Sequence, residues 1–323
     1  MIEEKGIVVH PDEVGRTWRE TILSSDICLI GIHPVGGEGS HERVKALAEE
    51  GLPAESRENL DVLKATGTGV EYELHAASLL LPRSLFGTHP EYFRTDEAGR
   101  RNPDHNCCPS NPDALEVIAE NAAALAKALP SSTHRYSFWL DDVRGGICRC
   151  ASCRTLSASD QALLIYNAVA RGIRRSDPLG KESYLAYCNA SEPPRKVVPE
   201  DGIYLEYAPF DRDPFLPMTD EKNASSADNA RELASFFGAG TGKVLEYWLD
   251  NSKYSGWKKP PKKLVPDPEV IRRDLAFYDS LGFRTVTTFA CFLGPDYEAL
   301  WGRPDLGGYA VSRQIGCKPS GRA

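Results

Sequence analysis

Nowhere does the chain present a run approaching the roughly 20 apolar residues that a membrane helix needs, and its opening, Met1 to His10, is too polar for a signal peptide. These absences predict a cytoplasmic protein without a membrane partner, or a secreted or periplasmic one if a leader has been removed. A basic excess is also missing. Lys and Arg number 38 against 46 Asp and Glu, a formal charge of −8, which is the wrong sign for a protein that neutralises phosphates, so nucleic acid is not expected as a partner. No internal repeat, low-complexity tract or interdomain linker divides the 323 residues. Disorder is excluded by 41% hydrophobic content with 26% charged residues, ample for a large core. Cysteine is not scarce, but nine is an odd number, unevenly spread through a chain too large to need covalent staples. That argues for free thiols or a metal site over a disulfide framework.

What the chain has in quantity is alternation. Short β-branched or aromatic runs at residues 6–10, 27–33, 70–75, 136–141, 184–188, 203–207, 244–249 and 285–289 are separated by amphipathic segments at 12–23, 41–50 with 57–65, 113–129, 160–174, 228–237 and 267–281. Eight strands with helices between them predict an α/β fold of the (β/α)8 TIM-barrel class, one domain over residues 1–323. Asn111-Pro112-Asp113 and Asp267-Pro268-Glu269 each place a capping side chain before a proline at the first helical position. Pro193, Pro194 and Pro199 break any helical pattern in the fifth crossover, which is expected to be irregular. Two long loops overhang the C-terminal mouth, residues 81–110 after the third strand and the Lys/Pro-rich 253–266 after the seventh. Structureless stretches of that length inside a compact domain usually serve function.

Barrel active sites gather where strands end, and the strand ends here are polar. They offer His33 from the second strand, Glu73 and His75 from the third, and Trp139 with Asp141 and Asp142 from the fourth. The fifth offers Tyr187 and Asn189, the sixth Glu206, and the seventh Trp248 and Asp250. Indoles stack on the C–H faces of pyranose rings while carboxylates hold hydroxyls, so the set points to a carbohydrate substrate and to no organic cofactor. Asp141 and Asp142 leave a hydrophobic strand side by side; their repulsion should keep a proton on one of them, the property of a general acid. Adjacent acids suit substrate-assisted hydrolysis, in which the substrate's own 2-acetamido oxygen attacks while one carboxylate orients the amide and the other protonates the leaving oxygen. Turn chemistry before Gly145-Gly146 is the plain alternative. Cys148, Cys150 and Cys153 are close enough to share one ion. With Cys108 from the neighbouring loop they would form a closed tetrahedral site for structural zinc; reduced loop thiols are the alternative. The segment from Gly238 to Lys243 lacks the Walker spacing and precedes a strand, so it is read as a turn.

An ordered string of motifs narrows this reading. His89-Pro90-Glu91-Tyr92-Phe93, then Cys108-Pro109-Ser110-Asn111-Pro112, then the acidic pair followed by Cys148-Arg149-Cys150-Ala151-Ser152-Cys153 and Ser159-Asp160, resembles the bacterial domain-of-unknown-function family 4838, which overlaps glycoside hydrolase family 163. The resemblance spans about residues 70–290. It implies a TIM barrel and hexosaminidase-like cleavage beside an N-acetylglucosamine, with Asp141 orienting the acetamido group and Asp142 as general acid. Related enzymes often carry Asp-Glu here, and Asp142 is one methylene shorter. Three other readings compete with it. One is a glycosidase for uronic or neutral sugars that pairs Asp142 with Asp250 or Glu206. Another is a metal-dependent enzyme with His33, Glu73, His75 and Asp141 as ligands. The last is a sugar-binding barrel without catalysis. Oligomeric state is not written in the sequence.

Overall fold

The computed structural model describes residues 1–312. Eight parallel strands close into a barrel in sequence order: β1 Glu4–Val9, β2 Ile27–Ile32, β3 Gly69–His75, β4 Arg135–Trp139, β5 Lys181–Ala186, β6 Ile203–Tyr207, β7 Lys243–Glu246 and β8 Thr285–Phe289. β1 closes the ring against β8, with Gly6 opposite Thr287 and Val8 opposite Phe289. The helices are α1 Arg16–Ser24, α2 Ser40–Glu50, α3 Ala54–Ala65, the single turn α4 Ala77–Leu80, α5 Pro112–Ala128, α6 Ala158–Ser176, α7 Ala224–Phe237, the single turn α8 Asn251–Tyr254, α9 Pro268–Ser280 and α10 Pro295–Trp301. None is long and apolar enough to cross a membrane.

Local chemistry explains most boundaries. Asn111 and Asp267 accept backbone N–H bonds at the starts of α5 and α9, each ahead of a proline whose missing N–H costs nothing there. α6 opens with a reciprocal capping box between Ser157 and Asp160. The fifth crossover holds one 3-10 turn, Cys188–Ala190, between β5 and β6 and no α-helix. α1 starts four residues later than its hydrophobic pattern, because Glu13 turns inward to accept the His10 and Phe292 N–H groups and so ties the end of β1 to the segment after β8. α10, after β8, lay outside the predicted set; its seven residues are too short to show a period.

The barrel interior is charged. Lys243, fully buried at the start of β7, places Nζ 2.6 Å from Glu206, 2.9 Å from Glu73 and 3.2 Å from Glu71. Arg135 also bonds Glu71. Small residues make room for this cluster: a Cβ on Gly31 would lie 2.7 Å from Glu73 Oε1. Three carboxylates around one ammonium cannot all ionise cheaply in a desolvated space. Burial pushes Glu73 up to about 8, helped by the Glu206 and Glu71 charges and opposed by Lys243. Lys243 and Arg135 draw Glu71 down to about 2 against its own desolvation.

Candidate active site

A cavity of about 430 Å³ opens at the C-terminal mouth. The ends of β1, β2 and β3 contribute His10, His33 and His75, and β4 contributes Trp139 and Asp142. Tyr187 follows β5, Tyr247 and Asp250 follow β7, and Phe289, Cys291 and Phe292 come from β8 and beyond. Among the described residues that line it, Asp142 and Asp250 are the two carboxylates.

Each histidine is held the same way. Nδ1 of His10 lies 2.7 Å from the His33 carbonyl, Nδ1 of His33 lies 2.8 Å from the Glu73 carbonyl, and Nδ1 of His75 lies 2.6 Å from the Leu140 carbonyl. A carbonyl only accepts, so Nδ1 carries the proton in each ring and Nε2 is left as an acceptor when the ring is neutral. Burial, then the neighbouring His75 and His10, hold His33 well below the usual imidazole range and keep it neutral. Such acceptors suit hydroxyl donors.

Trp139 closes the floor. Its Nε1 donates to Ser183 Oγ and Glu206 Oε2, both at 3.0 Å, and its ring contacts His33 and His75. The ion cluster therefore lies directly beneath the cavity. Glu73 and Glu206, read as substrate contacts, point into the barrel and serve as props under the floor, where Lys243 compensates them.

The acidic pair divides. Asp141 turns away from the cavity and accepts from Ser78 N at 3.0 Å, Ser78 Oγ at 2.8 Å and Asn106 N at 2.6 Å, with Arg83 at 3.3 Å. Asp142 faces the cavity and accepts one bond, 3.1 Å from the Tyr187 hydroxyl. Burial and the Asp142 charge keep that phenol protonated. Across the mouth, Asp250 Oδ1 accepts from Ser252 N at 3.1 Å, Ser252 Oγ at 2.5 Å and Lys253 N at 3.3 Å, capping α8. Burial raises the Asp250 pKa above its ordinary value even though these bonds and Lys253 oppose it.

Other candidates fall elsewhere. Trp248 points outward, donating to Asp274 and packing on Tyr309. Asn189 braces the loop after β4 through Val143 and Gly145. The ligand set His33, Glu73, His75 and Asp141 is not assembled, since Glu73 lies below the floor and Asp141 faces the loops. His10 and Tyr247 were missed; His10 ends a strand and the strand-end rule applied to β1 finds it. Outside the cavity, Cys108, Cys148, Cys150 and Cys153 converge, with sulfur atoms within 4.8 Å of one another.

Residues 52–288, the greater part of the barrel, match the family described as a domain of unknown function, DUF4838. The chain belongs to the DUF4838 family. No curated protein matches this DUF4838 sequence significantly. Among solved structures, the fold is similar to a cold-adapted β-galactosidase from Rahnella sp. R3, with TM-score 0.50 and 12% identity over 89% of this chain and 50% of that one. Endo-glycoceramidase II from Rhodococcus sp. is also similar, with TM-score 0.48 and 11% identity over 90% and 73% of the two chains. The DUF4838 chain thus spans half the length of the β-galactosidase, and at these identities the likeness is one of barrel fold.

Proposed function

We propose that the protein is a glycoside hydrolase acting on a carbohydrate at the barrel mouth, with Asp142 and Asp250 as its reacting carboxylates. The observation that carries this reading is their joint presence, from the ends of β4 and β7, on one cavity whose floor and walls are Trp139, Tyr187, Tyr247, Phe289 and Phe292. Aromatic faces receive sugar C–H surfaces, the His Nε2 acceptors receive hydroxyls, and two acids perform the proton transfers that glycosidic cleavage needs. Asp250, with Oδ1 held by three donors, presents one oriented oxygen as base or nucleophile. Asp142, bonded only by the Tyr187 hydroxyl, is the proton donor.

The raised proton affinity of Asp250 favours a second assignment, which suits an N-acetylhexosamine substrate. Asp250 then protonates the leaving oxygen, and Asp142 orients the acetamido group that attacks. Asp141, already bonded to Ser78, Asn106 and Arg83, is the positioning residue for Asp142 in either case.

A panel of aryl galactosides, xylosides, glucuronides and N-acetylhexosaminides tests both. Asp142→Asn and Asp250→Asn should each lower kcat by roughly 10²–10⁴-fold on the sugar that is turned over. Turnover confined to N-acetylhexosaminides selects the second assignment; equal turnover of 2-hydroxy sugars selects the first. Sugar binding that survives both substitutions, with no hydrolysis by the parent chain, would make the barrel a binding protein.

A further inference from the structure

The loops around the mouth are joined on their far side by a cluster that the hydrolytic reading does not use. Cys108 comes from the loop after β3, and Cys148, Cys150 and Cys153 come from the loop after β4. Cys108 Sγ lies 3.7 Å from Cys150 Sγ and 3.9 Å from Cys153 Sγ. A disulfide would need about 2.05 Å. Four thiolates around one tetrahedral zinc ion, each at about 2.3 Å, stand about 3.8 Å apart. The supporting contacts also match a thiolate site. Thr95 N donates to Cys148 Sγ at 3.3 Å, and the Ser110 hydroxyl lies 3.0 Å from Cys153 Sγ. Gln161, on α6, bonds the Cys148 N–H and the Cys148 and Cys153 carbonyls, so the thiol loop is anchored to a helix.

We infer that Cys108, Cys148, Cys150 and Cys153 bind one zinc ion in a closed structural site, and that this ion fixes the backbone carrying Asp142. Binding displaces the thiol protons to solvent and leaves no open coordination position, so the ion takes no part in hydrolysis. The coupling to the cavity is short. Asn106, two residues before Cys108, donates its N–H to Asp141 Oδ2 at 2.6 Å and accepts the Asp141 N–H on its own Oδ1 at 2.9 Å. Its side-chain amide also donates to the Gly146 carbonyl at 3.2 Å, two residues before Cys148. Arg83 bonds both the Asn106 carbonyl and Asp141. Asp142 is the next residue along. The metal site stands without the glycosidase reading; only the consequence for Asp142 rests on it, and the tests below read metal and backbone order without an activity assay.

The test uses the full chain purified under reducing conditions without chelator. Elemental analysis should give one zinc per chain, and exchange into cobalt(II) should give the near-ultraviolet thiolate charge-transfer absorption of a tetrahedral site. C150S, at the least buried of the four positions, should lose most of the metal, while C28S, on β2, should keep it. Hydrogen exchange in peptides covering residues 95–112 and 140–155 should quicken roughly tenfold or more in C150S or in chelator-stripped wild-type chain, with β1 and β8 unchanged. A folded wild-type chain that neither contains nor takes up zinc, or a mapped disulfide among the four cysteines, overturns the site. Metal loss with unchanged exchange at Asn106 overturns the coupling. Chelator-stripped wild type supplies the comparison should C150S fail to fold.

Discussion

Replacing Glu73 with Gln should leave stability almost unchanged near pH 4, and the variant's advantage over wild type should grow as pH rises, most measurably between pH 6 and pH 8. Glu73 is fully buried, and its carboxyl sits at about 8 against an ordinary value of 4.5. A folded-state pKa raised above the unfolded one means that the native protein holds the proton more tightly. The stability from that proton is complete below the unfolded pKa and is lost as pH rises through the folded pKa. Between pH 6 and 8 the loss attributable to Glu73 is on the order of 2 kcal/mol, at about 1.36 kcal/mol per pH unit and with titration half complete at the upper end. Gln keeps an oxygen where Lys243 Nζ now donates at 2.9 Å and resembles the protonated acid in shape. It cannot ionise, so this part of the decline disappears. In a chain of this size that 2 kcal/mol corresponds to a Tm advantage for the variant about 3 °C larger at pH 8 than at pH 6. Thermal or urea unfolding of both proteins at half-unit intervals from pH 5 to 9 measures it. Parallel curves would show that Glu73 is already ionised at pH 6 and that burial beside Glu71 and Glu206 does not hold a proton on it.

Two further outcomes follow from the same electrostatics. Asp250 must be ionised to act as base or nucleophile and burial raises its pKa, so kcat/KM should fall on the acid side at a pH above the ordinary aspartate value, and Ser252→Ala, which removes a bond to Oδ1, should move that limb further upward; a limb below pH 4 would instead leave Asp250 the weaker candidate of the pair. Arg212 is buried between Glu246 at 3.2 Å and Asp274 at 2.7 Å, so Arg212→Met should cost roughly 3–5 kcal/mol by stranding two carboxylates, and the deficit should shrink at low pH where they protonate; calorimetry across pH checks both size and slope.

Much of this molecule was readable from residue order because it depends on local rules. Strand period, β-branched composition and the Asn-Pro and Asp-Pro caps are properties of a few consecutive residues, and eight alternating units admit few closures. The approach of Cys108 to Cys148, Cys150 and Cys153 was readable for a related reason: consecutive strands of a parallel barrel are neighbours, so the loops after β3 and β4 meet at one rim. The predicted polar strand ends also include His33, His75, Trp139, Asp142, Tyr187 and Asp250, all on the cavity.

Direction was a matter for the tertiary structure. Glu73 and His75 differ by two positions on one strand, yet the first meets Lys243 under the floor and the second lines the mouth, because a closed barrel stacks its inward residues in layers at different depths. Lys243 itself read as the end of a glycine-rich turn, and only closure of the ring brings it among Glu71, Glu73 and Glu206, residues 172, 170 and 37 positions away in the chain. Asp141 and Asp142 look alike in the sequence; Ser78, Arg83 and Asn106, all from the preceding loop, capture the first and leave the second to the cavity. Trp248 leaves β7 facing α9 because Asp274 waits there for its indole N–H. Composition and period decide which segments become strands, helices and rims. Which of two chemically similar neighbours faces substrate depends on partners far along the chain, and those partners meet only when the barrel closes.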